Sequence, residues 1–188
     1  MERYDKQILL PLAEYLPFDF LRPLTKSYGI YAFFSHGEGA KIFGEKKLFS
    51  PSVCYEETFP SIMRQARVEG AELFVNVTND NYYPNSSLHK QHLFHARLRA
   101  VENGIPLIRA CNSGGTAAID SFGKMLAFFQ SQEGVLQCRL ATYHYPTLYS
   151  FWGDFGIVSL CLVIICFFFG VNGLERELQN SIEFGLRS

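Results

Sequence analysis

The chain has 188 residues, 48% of them hydrophobic and 15% aromatic, enough for one sizeable core and rich in the side chains that suit lipid or an apolar substrate. Its formal net charge is −1, with Lys and Arg scattered rather than gathered in a stripe, which excludes the electrostatic footprint of a nucleic-acid partner. The 5 cysteines are irregularly spaced and include no Cys-x-x-Cys pair, which argues against a disulfide framework and excludes a zinc ribbon.

No signal-peptide pattern stands at the start: Met1-Glu2-Arg3-Tyr4 leads straight into a segment in which Lys6 and Glu14 flank an apolar run closed by Pro17. Ile30 to Phe34 reads as a strand, followed by a turn through Gly37 and Gly39. Leu48 to Val53 reads as a short strand that ends in Cys54. Thr58 and Pro60 then open a helix over Ser61 to Glu69, with Ile62, Met63 and Ala66 on one face and Gly70 as its stop. Leu73 to Val77 is a further strand. Ser87 is placed to cap a helix running to about Glu102, with Phe94, Leu98 and Val101 on one face and Asn103-Gly104-Ile105-Pro106 as the stop. Leu107–Cys111, Thr116–Ile119, Met125–Phe129 and Val135–Leu140 then read as short strands separated by glycine turns. Strands and helices alternating in this way predict a layered α/β domain.

The composition changes late in the chain. Phe155 to Leu174 holds no charged residue, and a helix of about 20 residues spans about 30 Å, the thickness of a bilayer core. Tyr143, Tyr145, Tyr149, Phe151 and Trp152 precede it as an interfacial aromatic belt would. Arg176 and Arg187 follow the span, whereas the nearest basic residue before it is Arg139. The charge bias therefore expects a cytoplasmic tail and an external soluble domain.

Cys54 is the residue with chemical promise. A cysteine at a strand-to-helix turn is held exposed and near backbone N–H groups, the setting that favours a nucleophilic thiolate. Taken alone it reads more often as a small core residue, Lys6 and Glu14 as a solvated pair, and Glu56 as an acid favoured by a helix start. His89, His92 and His95 recur on one predicted helix, but no carboxylate or cysteine completes a metal-ligand spacing, so no metal and no cofactor is expected. Asn76-Val77-Thr78 and Asn85-Ser86-Ser87 match the glycosylation pattern.

Five segments in order carry a resemblance that none carries alone. They are Lys6 to Pro17, Cys54-Tyr55-Glu56-Glu57-Thr58-Phe59-Pro60, Asn79-Asp80-Asn81-Tyr82-Tyr83, Gln91 to Glu102, and Arg109 to Ala117. Together they resemble the nitrilase superfamily, and within it the membrane-bound apolipoprotein N-acyltransferase branch, over roughly Tyr4 to Val171. The resemblance implies an α-β-β-α sandwich, here incomplete at its N-terminus, followed by one transmembrane helix. It divides the chain into a nitrilase-like domain over 1–148, a membrane helix over 149–174 and a polar tail over 175–188. It implies Cys54 as nucleophile, Lys6 as the cation beside it and oxyanion donor, and Glu14 as the group that orients Lys6. The N–H of Tyr55, Glu56 and Tyr82 fall to substrate binding.

The general-base glutamate of that family has no counterpart among the matched segments, so the chain is expected to be the C-terminal part of such an enzyme. The implied donor is a membrane phospholipid and the implied acceptor a diacylglyceryl apolipoprotein, at the bacterial plasma membrane with the domain on its periplasmic side. An amidase and an inactive or split-protein membrane-anchored remnant are the alternatives. The chain departs from the pattern at Ala13, where the family has glycine, at Tyr82 and Tyr83, where it has Trp and Phe, and at Pro84.

Overall fold

The structure is a computed structural model that describes residues 2–11, 14–16, 18, 20, 34–46, 48–82, 86–130 and 133–185. Of the expected strand Ile30 to Phe34, all but Phe34 lies outside the described residues, as do Ala13, Tyr83, Pro84, Asn85, the side chain of Tyr82 and Arg187; Phe34 itself stands in no strand. The chain divides into two units, Met1–Phe151 and Trp152–Ser188.

The first unit is built on a five-stranded mixed sheet whose strand order follows the sequence: β1 (Phe49–Val53), β2 (Leu73–Thr78), β3 (Leu107–Cys111), β4 (Thr116–Ile119) and β5 (Met125–Phe129). β1, β2 and β3 are parallel, and the helical connections α1 (Pro60–Val68) and α2 (Leu88–Asn103) join them; β4 and β5 complete the sheet as antiparallel neighbours. Pro60 starts α1 where a missing N–H costs nothing, and Gly104, at a φ of 62°, ends α2 in the left-handed conformation that glycine adopts freely. Ser87 does not cap α2 through its hydroxyl. The Leu88 N–H donates instead to Ser86 Oγ at 3.2 Å.

Register explains where the core sits and where it changes character. Ser50, Phe74, Leu107 and Ile119 form one row of the sheet, all buried, and with Met63 and Ala66 of α1 and Ala96 and Ala100 of α2 they make the apolar core. Two residues further along the strands the same face carries Ser52, Asn76, Arg109 and Ala117, equally buried but largely polar. The core therefore turns polar toward the C-terminal ends of the parallel strands, the edge at which sheets of this kind place their chemistry. On the opposite face Val53, Val77 and Ala110 share a row, with Val77 and Ala110 exposed.

Three further expectations are corrected. The apolar row Phe94, Leu98 and Val101 of α2 faces outward, and the buried side of that helix is His92, Ala96, Arg99, Ala100 and Asn103. Periodicity located a stripe but could not say that small and hydrogen-bonded residues fit more closely against the sheet. Val135 to Leu140 forms no strand; it has no ladder partner among the described residues and runs as irregular chain. Asn76, read as a glycosylation match, is fully buried beside Ser52 and is no surface acceptor.

Tyr143 and Tyr145 stack on Phe122, with ring centroids 5.9 and 5.1 Å away, and so pack within the first unit. The short helix α3 (Leu148–Trp152) follows, and Arg64 of α1 donates to the carbonyls of Tyr149 and Phe151 at 3.1 and 2.8 Å. The second unit is the helix α4 (Asp154–Gly185). Its Asp154–Gly173 stretch has a mean hydropathy of 2.5 and none of it is buried, which makes it long and apolar enough to cross a membrane.

Candidate active site

Cys54 follows β1 directly and begins a 3-10 turn, Cys54–Thr58, that leads into α1. Its φ is 55°, and it is the one non-glycine residue with positive φ among the described residues. A side chain in that region costs on the order of 1–3 kcal/mol, so it persists only where surrounding contacts fix it. Those contacts are visible. Asn76, from the neighbouring strand, donates Nδ2 to Ser52 Oγ at 3.0 Å and to the Cys54 carbonyl at 3.4 Å.

Glu56 fixes the turn from the other side. Its side chain is buried, and its carboxylate accepts the Val53 N–H at 2.6 Å, the Ile8 N–H at 3.2 Å, the Gln7 N–H and the Tyr4 hydroxyl at 2.9 Å. These bonds join the Cys54 turn to the N-terminal segment next to Lys6. Burial, then the Glu56 charge, pushes the Tyr4 hydroxyl above its ordinary range, so it remains the donor.

Lys6 and Glu14 are brought together as expected. The ammonium Nζ lies 2.8 and 2.7 Å from the two carboxylate oxygens, with both side chains largely shielded. Glu14 Oε2 also accepts the Leu10 N–H at 2.7 Å, and the Lys6 carbonyl accepts the Gly37 N–H at 2.7 Å, which holds the segment in a closed loop. Tyr55 sets its ring edge-on to Phe59 at 5.0 Å and tilted to His92 at 6.5 Å. Tyr82 ends the 3-10 turn Asp80–Tyr82 after β2.

Sequence reading missed a group behind the turn. Glu57, beside Glu56, is buried and accepts from Arg109; Arg109 also donates to Asp80 Oδ2 at 2.6 Å, and Asp80 Oδ1 meets His92 Nδ1 at 3.0 Å. Burial pushes the Glu57 carboxyl up to about 8 against the pull of Arg109. Burial also works against the Asp80 carboxylate, but the His92 hydrogen bond with the charge and hydrogen bond of Arg109 outweighs it and holds Asp80 well below the usual range. The available signal was an arginine in the middle of the strand Leu107–Cys111, where a charge must find a buried partner. Of the three histidines weighed for metal, His92 is engaged by Asp80, and no group of His, Cys, Asp or Glu suited to a metal ion occurs among the described residues.

The arrangement provides a strained, half-buried thiol at the C-terminal edge of a parallel sheet, a shielded ammonium–carboxylate pair on the adjoining loop, and one carboxylate, Glu56, that locks the two segments together. Comparison with known proteins agrees with this architecture. A carbon-nitrogen hydrolase profile matches residues 1–142. Similar proteins include one named apolipoprotein N-acyltransferase from Chlamydia caviae, 37% identical over 88% of this chain and 34% of its own length. Another of that name, from Haemophilus influenzae, is 35% identical over 87% of this chain and 32% of its length. The chain thus spans about a third of the relatives it matches. Among solved structures, a carbon-nitrogen hydrolase from Helicobacter pylori shares the fold, with a TM-score of 0.53 and 18% identity over 58% of this chain and 46% of that one. By the extent of the profile match, the chain belongs to the carbon-nitrogen hydrolase family.

Proposed function

We propose that this chain serves acyl transfer at a bacterial plasma membrane, with Cys54 as the nucleophile. The Cys54 thiol gives up its proton as its sulfur attacks the ester carbonyl of a phospholipid; a carbon–sulfur bond forms, the carbon–oxygen bond breaks, and the departing alkoxide takes up that proton as lysophospholipid. The α-amine of a diacylglyceryl-cysteine apolipoprotein then attacks the thioester, giving an amide and returning the thiol. The Lys6 ammonium, oriented by Glu14, and the Tyr55 N–H serve as donors to the tetrahedral oxyanion. Glu56 acts by position, tying the nucleophile's turn to the lysine's loop. Tyr82, on the turn after β2, contributes to the substrate side of the site.

The observation that carries this reading is the left-handed backbone at Cys54, a strained conformation held by Asn76 and Glu56 in a family whose relatives here are named as acyltransferases. Residues 1–148 form the nitrilase-like domain, on the periplasmic side; 149–174 comprise the aromatic flank and the membrane span, Asp154–Gly173 of α4, and 175–188 the polar tail. The apolar α4 favours this over an amidase acting on small soluble amides.

The test is N-acylation of a synthetic diacylglyceryl-cysteine peptide by the full chain in detergent with phosphatidylethanolamine as donor. Cys54→Ala is expected to lower the rate at least about a thousandfold. Retained transfer in that variant would exclude Cys54, and equal turnover of a soluble amide without detergent would favour the amidase.

A further inference from the structure

The acyl-transfer reading makes no use of the charged groups behind the Cys54 turn, where two buried carboxylates meet one guanidinium. The side chains of Glu57, Arg109 and Asp80 are all 0% exposed. They come from three elements: the Cys54–Thr58 turn, β3 and the Asp80–Tyr82 turn. Arg109 donates Nη1 to Glu57 Oε1, Nη2 to Asp80 Oδ2 at 2.6 Å and Nε to the Gly115 carbonyl at 3.1 Å. Asp80 has two further partners, the Thr78 hydroxyl at 3.1 Å and His92 Nδ1 at 3.0 Å. Glu57 accepts only from Arg109, and its Oε2 is buried with no hydrogen-bond partner among the described residues.

Two carboxylates thus share one guanidinium away from water, and a buried charge without a partner is strongly disfavoured. Asp80, with three donors around it, keeps its charge. Glu57 is the place for a proton: Oε1 accepts from Arg109 and Oε2 carries the hydrogen.

Other titratable and charged groups face the pair, and none of them reaches Glu57 Oε2. On α2, Arg99 is engaged by Glu102 at 2.6 Å and by the Thr58 carbonyl at 3.3 Å. His92 places Nδ1 3.0 Å from Asp80 Oδ1, and its buried Nε2 has no hydrogen-bond partner among the described residues. Burial lowers His95 toward its neutral form and raises the Cys111 thiol toward its neutral form. On the turn itself Glu56 is satisfied by its own four donors.

We infer that Glu57 is a positioning residue that fastens the Cys54 turn to Arg109 as a neutral carboxylic acid, with Asp80 as the arginine's counter-ion. The inference rests on the reading of Cys54 as nucleophile. The rise of the Glu57 carboxyl to about 8 agrees with it. So does the chemistry of replacement: a glutamine presents the same carbonyl oxygen to Arg109 and an NH2 in place of the OH, whereas an alanine removes the tether.

Two measurements on the full chain in detergent test this. The first is the iodoacetamide alkylation rate of Cys54 against exposed Cys138, resolved by peptide mass. Glu57→Gln should stay within about twofold of the parent, and Glu57→Ala should slow Cys54 at least about tenfold. The second is the thermal midpoint between about pH 5 and about pH 9. A carboxyl raised from 4.5 to about 8 on folding stabilises fully below 4.5 and loses that contribution as pH rises through about 8. The parent's midpoint should therefore fall with rising pH, and Glu57→Gln should remove that component. A glutamine variant as slow as alanine would overturn the inference, as would a slope that survives in it or vanishes with His92→Gln instead. If Cys54 of the parent alkylates no faster than Cys138, it is the nucleophile assignment that fails, while the pH slope still decides the state of Glu57.

Discussion

Glu56 shows how one side chain links two distant stretches of sequence. Its two oxygens collect three backbone N–H groups and the Tyr4 hydroxyl, so removal strands several buried donors at once. Glu56→Ala is therefore expected to cost about 3 kcal/mol or more, read as a lower denaturant midpoint, with Glu56→Gln less severe because its carbonyl still accepts. Lys6→Met leaves the Glu14 carboxylate with the Leu10 N–H but without its cation. It should lose acylation while destabilising by about 1–3 kcal/mol, since both partners are shielded but not fully buried. Unchanged acylation in Lys6→Met would remove the lysine from the site.

Asp80 sets the acid side of the stability profile. Its folded value lies below the ordinary 3.8, so its contribution is present above that pH and is lost as pH falls through the folded value. Asp80→Asn should flatten the acid limb of an unfolding curve and leave Arg109 without its counter-ion while Glu57 is protonated. A variant with an unchanged acid limb would contradict the assignment.

Strands and helices determine which of these residues meet. Because β1, β2 and β3 are parallel, their C-terminal ends deliver Cys54, Asp80 and Cys111 with Asn112 to one edge of the sheet, where His92 of α2 meets Asp80. The end of α2 shows how narrowly this is set. Gly104 has a φ of 62°, and a Cβ there would run into the Tyr145 carbonyl. Tyr145 itself donates its N–H to the Gly104 carbonyl at 3.0 Å. Gly104→Ala combines backbone strain with that clash and should lower stability by about 2 kcal/mol or more in a thermal melt; a neutral result would mean that the segment before α3 does not close on α2.

Much at this level was readable in advance. Pro60 and Gly104 are punctuation that local chemistry dictates, and the strands through Ile119 and Phe129 fall where alternation puts them. The stripe Phe94, Leu98 and Val101 misled because amphipathicity gives a period and not a direction. Ala96 and Ala100 face the sheet because small side chains allow close approach. The Lys6–Glu14 pair was legible because both residues stand on one loop. The Glu57–Arg109–Asp80–His92 chain was not, because its members are far apart in sequence and only the sheet register makes them neighbours.

The molecule joins a hydrogen-bonded α/β unit to a helix with nothing in the first unit's composition to match it. Ile164, mid-way along the apolar stretch of α4, is exposed as a lipid-facing residue would be. Ile164→Arg should weaken membrane retention, at a cost of about 2.5–3.5 kcal/mol for a central arginine, read as release from membranes on alkaline carbonate extraction. Full retention of that variant would argue that another feature anchors the chain.

The thiol of Cys54 decides the account as a whole. Incubation of the full chain with phosphatidylethanolamine in detergent, followed by peptide-resolved mass analysis, should find a fatty acyl group on the Cys54 peptide that hydroxylamine removes and that Cys54→Ala abolishes. An acyl adduct that persists in Cys54→Ala, or that forms on Cys111 or Cys138 and never on Cys54, would contradict it.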